Sequence, residues 1–447
     1  MLNSDPSVYV FEVKNTRILL DPHNQMIWDI ESISSEELDR NVQRLKKSNF
    51  FIYKEHPSEL EQIQVLDYVV INPSTECNLS CWYCYVDRKE NVSIKQPSSE
   101  DIFTQILQIL NNMRKRGNNS SIAFSLFYTG EITLNFHTFT DIEEKLNQVR
   151  ENYDFQISLL LPPTNLLTPS KNFVEYINTY GYLTVSIDLT NSMQKNQVLT
   201  NIKLFKEEVI KHAMIPIHSK VKHIYKQYIE YMNYFNKVSL RPVRISENSK
   251  FPWNDKNLDE FRLEFEKLVE KLISLEAKQI VKFLESLGPS DYFSKFVDSI
   301  LTREKKIIRC PAGRTAIALD QKFNQYPCSG LIGIKDFQKN HSIKEMKKPN
   351  NIKSFSMNSG RCSKCAIRYF CGGFCIDWEF KEKRKLNSEN ATSECKVNFI
   401  YFVYSVYFIL KIQKKHPSIL RNYIEKKGKK YRLNYSLDFG NFVISFC

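Results

Sequence analysis

The chain has 447 residues, 42% of them hydrophobic and including 30 Phe and 23 Tyr, which supports sizeable cores and excludes a disordered chain. At ordinary domain size this length makes two or three domains. The formal charge of +13 admits nucleic acid, anionic membrane or acidic peptide as partners, but Lys and Arg are scattered, with short runs only at 411–415 and 426–432. That distribution reads as a solvated surface and no nucleic-acid partner is expected. The first ten residues carry no basic flank and no apolar core of a signal peptide. The most hydrophobic run, 399–410, is interrupted by Ser405 and falls short of the roughly 20 residues that span a bilayer. It reads as a buried core element, so no transmembrane segment is expected and a cytoplasmic location is. In that reducing compartment the 11 cysteines argue for metal binding over disulfides.

Residues 1–66 read as a small α+β unit. Segments 8–13 and 17–21 form a hairpin around Asn15-Thr16, and 26–30 adds a third strand. A helix follows from a capping box, Ser34 with Glu37 three residues on, to about residue 47. The unit fits a structural flap and also a peptide-docking module, with the flap favoured.

Residues 67–300 alternate strand and helix. Strands are expected at 66–72, 122–128, 155–161, 183–189, 214–221 and 238–245. Between the first two, residues 99–114 place Ile102, Phe103, Ile106, Leu107, Leu110 and Met113 at helical spacing. Buried strands alternating with helices imply a parallel sheet with right-handed crossovers. Six units are too few for a closed eight-stranded barrel, so the expected class is α/β, a partial (β/α)6 TIM-like barrel whose active face is the carboxyl end of its strands. A helix at 258–275 and a second helical stretch to about 302 lead into residues 301–447, loop-rich and cysteine-rich from Cys310 to Cys395.

Two cysteine patterns carry chemistry. Cys77, Cys81 and Cys84 follow the first strand as C-x3-C-x2-C. Thiolates at this density select iron-sulfur clusters, zinc or copper, and three ligands leave one coordination position open. A partial zinc knuckle or chance spacing is the plainer alternative. Further on stand Cys310, Cys328, the block Cys362-x2-Cys365-x5-Cys371-x3-Cys375, and Cys395; on ligand type alone two zinc ribbons are possible. Cys447 is read as an incidental terminal thiol.

With the aromatic Tyr83 just before its last cysteine, the first loop resembles the cluster-binding motif of the radical S-adenosylmethionine (radical SAM) enzymes. The resemblance implies a [4Fe-4S] cluster on Cys77, Cys81 and Cys84 whose open iron binds S-adenosylmethionine, cleaved to a 5'-deoxyadenosyl radical. Thr129-Gly130-Glu131 stands where the family carries a Gly-Gly-Glu-Pro motif for the methionine amino group, with Thr129 and Ile132 departing from it. Thr164-Asn165 stands where Thr-Asn-Gly is usual. Val185-Ser-Ile-Asp-Leu189 stands where Ser-Leu-Asp-Gly is usual, so that Ser186 would face the carboxylate or ribose. Tyr83, Thr129, Gly130, Glu131, Asn165 and Ser186 are therefore the expected cofactor contacts. The family's arginine after this strand is absent, and Lys195 is the nearest cation.

The later cysteines resemble the SPASM domain, the C-terminal extension of peptide-modifying radical SAM enzymes, which carries two auxiliary [4Fe-4S] clusters. By that resemblance Cys362, Cys365, Cys371 and Cys395 hold one cluster, and Cys310, Cys328 and Cys375 hold the other, whose usual fourth ligand is missing from 301–309. The small residues of Cys371-Gly-Gly-Phe-Cys375 fit a backbone passing close to a cluster. The resemblance implies a maturase that abstracts hydrogen from a residue of a ribosomally made precursor peptide, with a flavodoxin or ferredoxin as electron donor. A sulfatase-maturing, formylglycine-forming enzyme is the rival within the family, disfavoured because Ser329 occupies the position of its aspartate. A non-catalytic metal-binding scaffold is the rival outside it.

Overall fold

The computed structural model describes residues 8–22, 24–47, 66–85, 96–115, 121–127, 129–188, 190–218, 220–244, 253–289, 291–306, 309–338, 360–384, 386 and 390–429. An antiparallel sheet of β1 (Tyr9–Val13), β2 (Thr16–Asp21) and β3 (Met26–Asp29) comes first, followed by α1 (Ser35–Lys47). Val13 pairs with Thr16, so the turn is Lys14-Asn15, one residue earlier than expected, with Lys14 at φ 53. Ser34 caps α1 by accepting from the Glu37 amide at 3.2 Å. Alternation along β2 sends Leu19 to a small core with Trp28, Leu38 and Val42, and Ile18 and Leu20 to the main core. The unit is thus docked by both packing and polar contacts: the Tyr9 hydroxyl donates to the Lys364 carbonyl at 2.9 Å, and Asp29 pairs with Lys414 at 2.6 Å.

Six parallel strands follow in chain order. β4 (Tyr68–Ile71), β5 (Ile122–Leu126) and β6 (Ile157–Leu160) pair successively, as do β7 (Tyr182–Ser186), β8 (Ile210–Ile217) and β9 (Lys237–Pro242). A parallel bridge between Thr164 and Val185 links the two sets, with the Thr164 amide donating to Thr184 at 3.0 Å and the Ser186 amide to Thr164 at 2.8 Å. The crossovers contain α2 (Ser99–Lys115), α3 (Phe136–Val149), α4 (Lys171–Tyr180), α5 (Ser192–Asn201) and α6 (Ile224–Tyr231). In α2 Ile102, Ile106, Leu110 and Met113 of the expected stripe are buried, together with Ile109, while Phe103 and Leu107 are half-buried.

β8 begins four residues before the expected 214. Its opening residues look polar, but His212 is buried between Tyr182 and Ser239, with Nδ1 3.1 Å from the tyrosine hydroxyl and Nε2 2.8 Å from the serine hydroxyl. Burial pulls its pKa down to about 4, so the ring is neutral and sits in the sheet as an uncharged polar group. The expected ends of three other strands, Tyr128, Leu189 and Ile245, lie outside the described residues.

α7 (Asp255–Ile273), α8 (Ala277–Ser286) and α9 (Tyr292–Thr302) close the alternating part; the single second helical stretch expected here is two helices. β10 (Ala316–Leu319) then pairs parallel with β4, and β11 (Gln325–Tyr326) antiparallel with β10, giving a sheet ordered β11-β10-β4-β5-β6. The cysteine-rich segment therefore grows out of the same sheet. It continues through α10 (Gly360–Ser363), α11 (Arg368–Cys371), α12 (Ile376–Lys383), α13 (Ser393–Lys415) and α14 (Pro417–Lys426). The apolar run 399–410 lies in α13. That helix is long and apolar enough to cross a membrane, yet most of it is buried here, packed against α7 and α9, as a helix that is apolar all round must be.

Asp291, fully buried, caps α9 through the Ser294 amide (2.8 Å) and accepts from the Leu240 amide of β9 (2.8 Å). Burial pushes its acid up to about 6, above the ordinary value of roughly 3.9. The unfolded chain therefore loses this proton first as pH rises, and the residue's stabilisation, full below about 4, is lost as pH climbs through about 6. Asp291→Asn keeps a capping oxygen and removes the ionisation. The expected outcome is a stability difference between variant and wild type that moves in the variant's favour from pH 4 to pH 7, read by urea unfolding; a difference flat with pH refutes the assignment.

Candidate active site

The loop after β4 is fastened to the ends of the neighbouring strands by backbone contacts. Asn72 Oδ1 accepts from the Thr129 amide at 3.1 Å, and the Glu76 carbonyl accepts from the Glu131 amide at 2.8 Å. A Cβ at Gly130 would stand 2.7 Å from the Glu76 carbonyl oxygen and 3.1 Å from that of Ser74, so only glycine permits this approach. Beside it the buried Glu131 carboxylate accepts from the Thr133 amide (3.1 Å) and hydroxyl (2.9 Å), the Thr164 hydroxyl (2.5 Å) and the Asn165 amide (2.8 Å). Asn165 Nδ2 in turn donates to Asn78 Oδ1 at 2.6 Å and lies 3.7 Å from Cys77 Sγ. Leu166, where the family motif has glycine, takes φ 55, in the left-handed region.

Cys77, Cys81 and Cys84 come together within this frame. Burial, opposed by a hydrogen bond from Tyr83 and reinforced by the charges of Cys84 and Cys77, pushes the Cys81 thiol up to about 11. Tyr83 is half-buried, bonded to Cys81 and Asp188, and desolvation raises its phenol far above the ordinary range. Its ring stacks on His218 at 5.1 Å and 28°. The Lys220 amide donates to His218 Nδ1 at 3.2 Å, which leaves the proton on Nε2, 3.5 Å from Asp188 Oδ1. Burial alone would raise the Asp188 acid, but the bonds from His218 and Thr190 outweigh it and hold the carboxyl below its ordinary value. Ser186 is partly exposed, with its carbonyl taken by Gln194 Nε2 at 3.1 Å. Lys195 faces Glu230 at 2.9 Å, so its charge is already engaged. His218 is the residue sequence reading missed; the available signal was a polar side chain directly after the apolar strand β8.

The later thiols fall into two sets. Burial, with the charge of Cys371 first among its cysteine neighbours and those of Cys395 and Cys365 after it, pushes Cys362 up to about 12; Cys371, also raised to about 12 by burial, feels Cys365 and Cys395. Burial raises Cys328 well above the ordinary thiol, with Asp377, Cys375 and Cys310 adding to the effect, and raises Cys375 to about 12. All ten described cysteines are free thiols. Among the described residues no three His, Cys, Asp or Glu side chains converge tightly enough to hold a single metal ion. Grouped, half-buried, all-sulfur donors fit iron-sulfur clusters in their chemistry. Cys447 lies outside the described residues.

Two further features were not visible in the sequence. Gly372, at φ 77, makes room for the segment before Cys310: a Cβ there would stand 3.0 Å from the Arg309 amide nitrogen and 3.0 Å from Lys306 Cβ. Asp377 is fully buried against Gly330, paired with Lys381 at 2.8 Å and Arg244 at 3.5 Å. Lys381 also donates to the Tyr85 carbonyl at 3.2 Å, and the Arg244 guanidinium lies 5.6 Å from the centre of the Tyr85 ring. Tyr85 follows Cys84, so this network joins the first cysteine loop to the later ones.

The fold with this loop at its strand ends is that of the radical SAM enzymes. Among solved structures the chain is similar to the AdoMet-bound anaerobic sulfatase-maturing enzyme anSMEcpe, at TM-score 0.55 and 16% identity over 79% of this chain and 99% of that one. A histidine-tagged form of the same enzyme matches at 0.55 and 16%, over 80% and 99%. Coproporphyrinogen III oxidase (HemN) from Escherichia coli, a radical SAM enzyme, aligns at TM-score 0.34 and 11% identity, over 61% of this chain and 71% of that one. No protein-family model and no curated protein sequence matches.

Removing the Glu131 carboxylate strands four donors in a buried setting, at a cost of about 2–4 kcal/mol. Glu131→Ala is expected to lower both the denaturation midpoint and the iron bound per chain after anaerobic reconstitution, with Glu131→Gln intermediate. Wild-type iron content and stability in both variants would contradict the role of this carboxylate as the brace of the loop.

Proposed function

We propose that this chain is a radical SAM peptide-modifying enzyme of the SPASM type, built as a partial (β/α)6 barrel at 67–300 with a SPASM domain at 301–447 and residues 1–66 as a flap over them. The observation that carries the reading is the locking of three free thiols, Cys77, Cys81 and Cys84, against the carboxyl ends of parallel strands through Gly130 and Glu131. Those thiols would hold the first [4Fe-4S] cluster; Thr129, Gly130, Asn165, Ser186 and Tyr83 would line the S-adenosylmethionine site. Cys362, Cys365, Cys371 and Cys395 would hold one auxiliary cluster, and Cys310, Cys328 and Cys375 the other. When bound, these groups supply a 5'-deoxyadenosyl radical that takes a hydrogen atom from carbon. The chain's own part is positional. Glu131 ties the second and third strand ends to the loop, and Asp188 with His218 holds the Tyr83 ring beside Cys81. The substrate class is a ribosomally made precursor peptide, the electron donor a flavodoxin or ferredoxin, and the location the cytoplasm.

Formylglycine formation is a second reading with one observation in its favour. Asp377 brings a buried carboxylate against Gly330, next to Ser329, where the sulfatase-maturing enzymes carry their aspartate.

Anaerobically reconstituted protein given dithionite and S-adenosylmethionine is expected to release 5'-deoxyadenosine, and Cys81→Ala to release none. Retained zinc with no product from the wild type would overturn the enzyme reading. Mass spectrometry of a candidate precursor peptide separates the two substrates: a cross-link loses two hydrogens with no new carbonyl, whereas formylglycine adds an aldehyde that hydrazide reagents capture.

A further inference from the structure

The two later sets of thiols differ in what surrounds their sulfurs. Around Cys362, Cys365, Cys371 and Cys395 several donors point at sulfur. Arg361 Nε lies 3.4 Å from Cys395 Sγ, the Thr392 hydroxyl 3.4 Å from the same atom, Asn398 Nδ2 3.7 Å from Cys371 Sγ, and Arg309 Nη1 4.0 Å from it. Arg361 is paired with the buried Glu379 and Arg309 with the buried Glu394, while Arg368 adds positive charge near Cys365 and the half-buried Lys306 near Cys371. Counted by charge, four cations face two carboxylates.

Around Cys310, Cys328 and Cys375 the difference lies in the donors to sulfur. Among the described residues no side-chain donor reaches those three sulfurs. The buried Asp377 carboxylate bears on Cys328; on Cys375 the Arg244 charge acts most strongly, opposed by Glu394 and Asp377. The half-exposed Arg244 and the buried Lys381 both pair with Asp377, and Arg314 stands near Cys310. Hydrogen bonds to sulfur and nearby positive charge stabilise the more negative, reduced form of an iron-sulfur cluster, and buried carboxylates destabilise it.

We propose that Arg361, Arg309 and Asn398 set the centre at Cys362, Cys365, Cys371 and Cys395 to a higher reduction potential than the centre at Cys310, Cys328 and Cys375. This rests on the reading of both sets as cluster sites. A single electron shared between the two then resides on the Cys362 centre: the Cys310 centre is oxidised by one electron as the other is reduced by one, and no proton or further reactant is needed. The three side chains are positioning residues, acting through the cysteines they touch.

The test uses the full chain, anaerobically reconstituted, in an EPR-monitored redox titration, with Cys328→Ala identifying which signal belongs to which centre. Asn398→Leu is the first variant, because its Oδ1 is buried without a partner and the substitution removes that burden together with the donor. Arg361→Gln paired with Glu379→Gln is the second, because it removes both charges and strands neither. The wild type is expected to show the Cys362 centre reduced first. Each variant is expected to keep its iron content and to weaken reduction of that centre about tenfold, a negative shift of ~59 mV for one electron, with the other signals unmoved. The reverse order in the wild type, or unchanged potentials in both variants at full iron content, overturns the proposal. Failure to load any auxiliary cluster, with zinc retained instead, overturns the cluster reading itself and is distinguished by metal analysis.

Discussion

The interaction on which the site depends is the buried carboxylate of Glu131. A lone ionised carboxylate in this position would be prohibitively costly, and it persists because its oxygens accept from two backbone amides and two hydroxyls. Those donors come from Thr133, just after β5, and from Thr164 and Asn165, just after β6. One side chain thereby fixes the spacing of two strand ends, and the Glu131 amide, bonded to Glu76, fixes the cysteine loop to both. Gly130 completes the arrangement by having nothing to put in the way.

That brace also explains why departures from the family's motif are tolerated. Thr129 in place of glycine meets the loop through its backbone amide, which Asn72 accepts, so the side chain is not what makes the contact. Leu166 in place of glycine pays for a left-handed backbone, a strain of about 1–3 kcal/mol for a non-glycine residue. Its amide bonds to the Thr164 hydroxyl and its carbonyl to Asn201 Nδ2, so the conformation is held from both sides.

Much of this is legible in the order of the residues. Cysteine spacing, strand order, the capping of α1 by Ser34 and the burial of α13 all follow from local rules of period, propensity and ligand chemistry. What is not legible depends on contacts between distant segments. His212 falls outside the expected strand, and its place in β8 is clear only once Tyr182 and Ser239 stand on either side of it. Gly372 reads as clearance for a cluster, yet the space it leaves is filled by Lys306 and Arg309. Arg361 reads as one more surface cation among many, although it is buried against Cys395 and Glu379. No window of sequence holds both partners of any of these pairs.

The network at Asp377 shows why the two cysteine regions form as one unit. A fully buried carboxylate requires cations, and Asp377 draws one, Arg244, from the segment just after β9 and another, Lys381, from α12. Both cations also touch Tyr85, next to Cys84. Breaking a buried ion pair by removing one partner typically costs about 3–5 kcal/mol, so this arrangement strongly disfavours the charge standing alone. β10 adds a second constraint by pairing with β4, the strand that delivers the first cysteine loop. The later cysteines and the first loop are therefore held in register by a shared strand on one side and a shared pair of cations on the other.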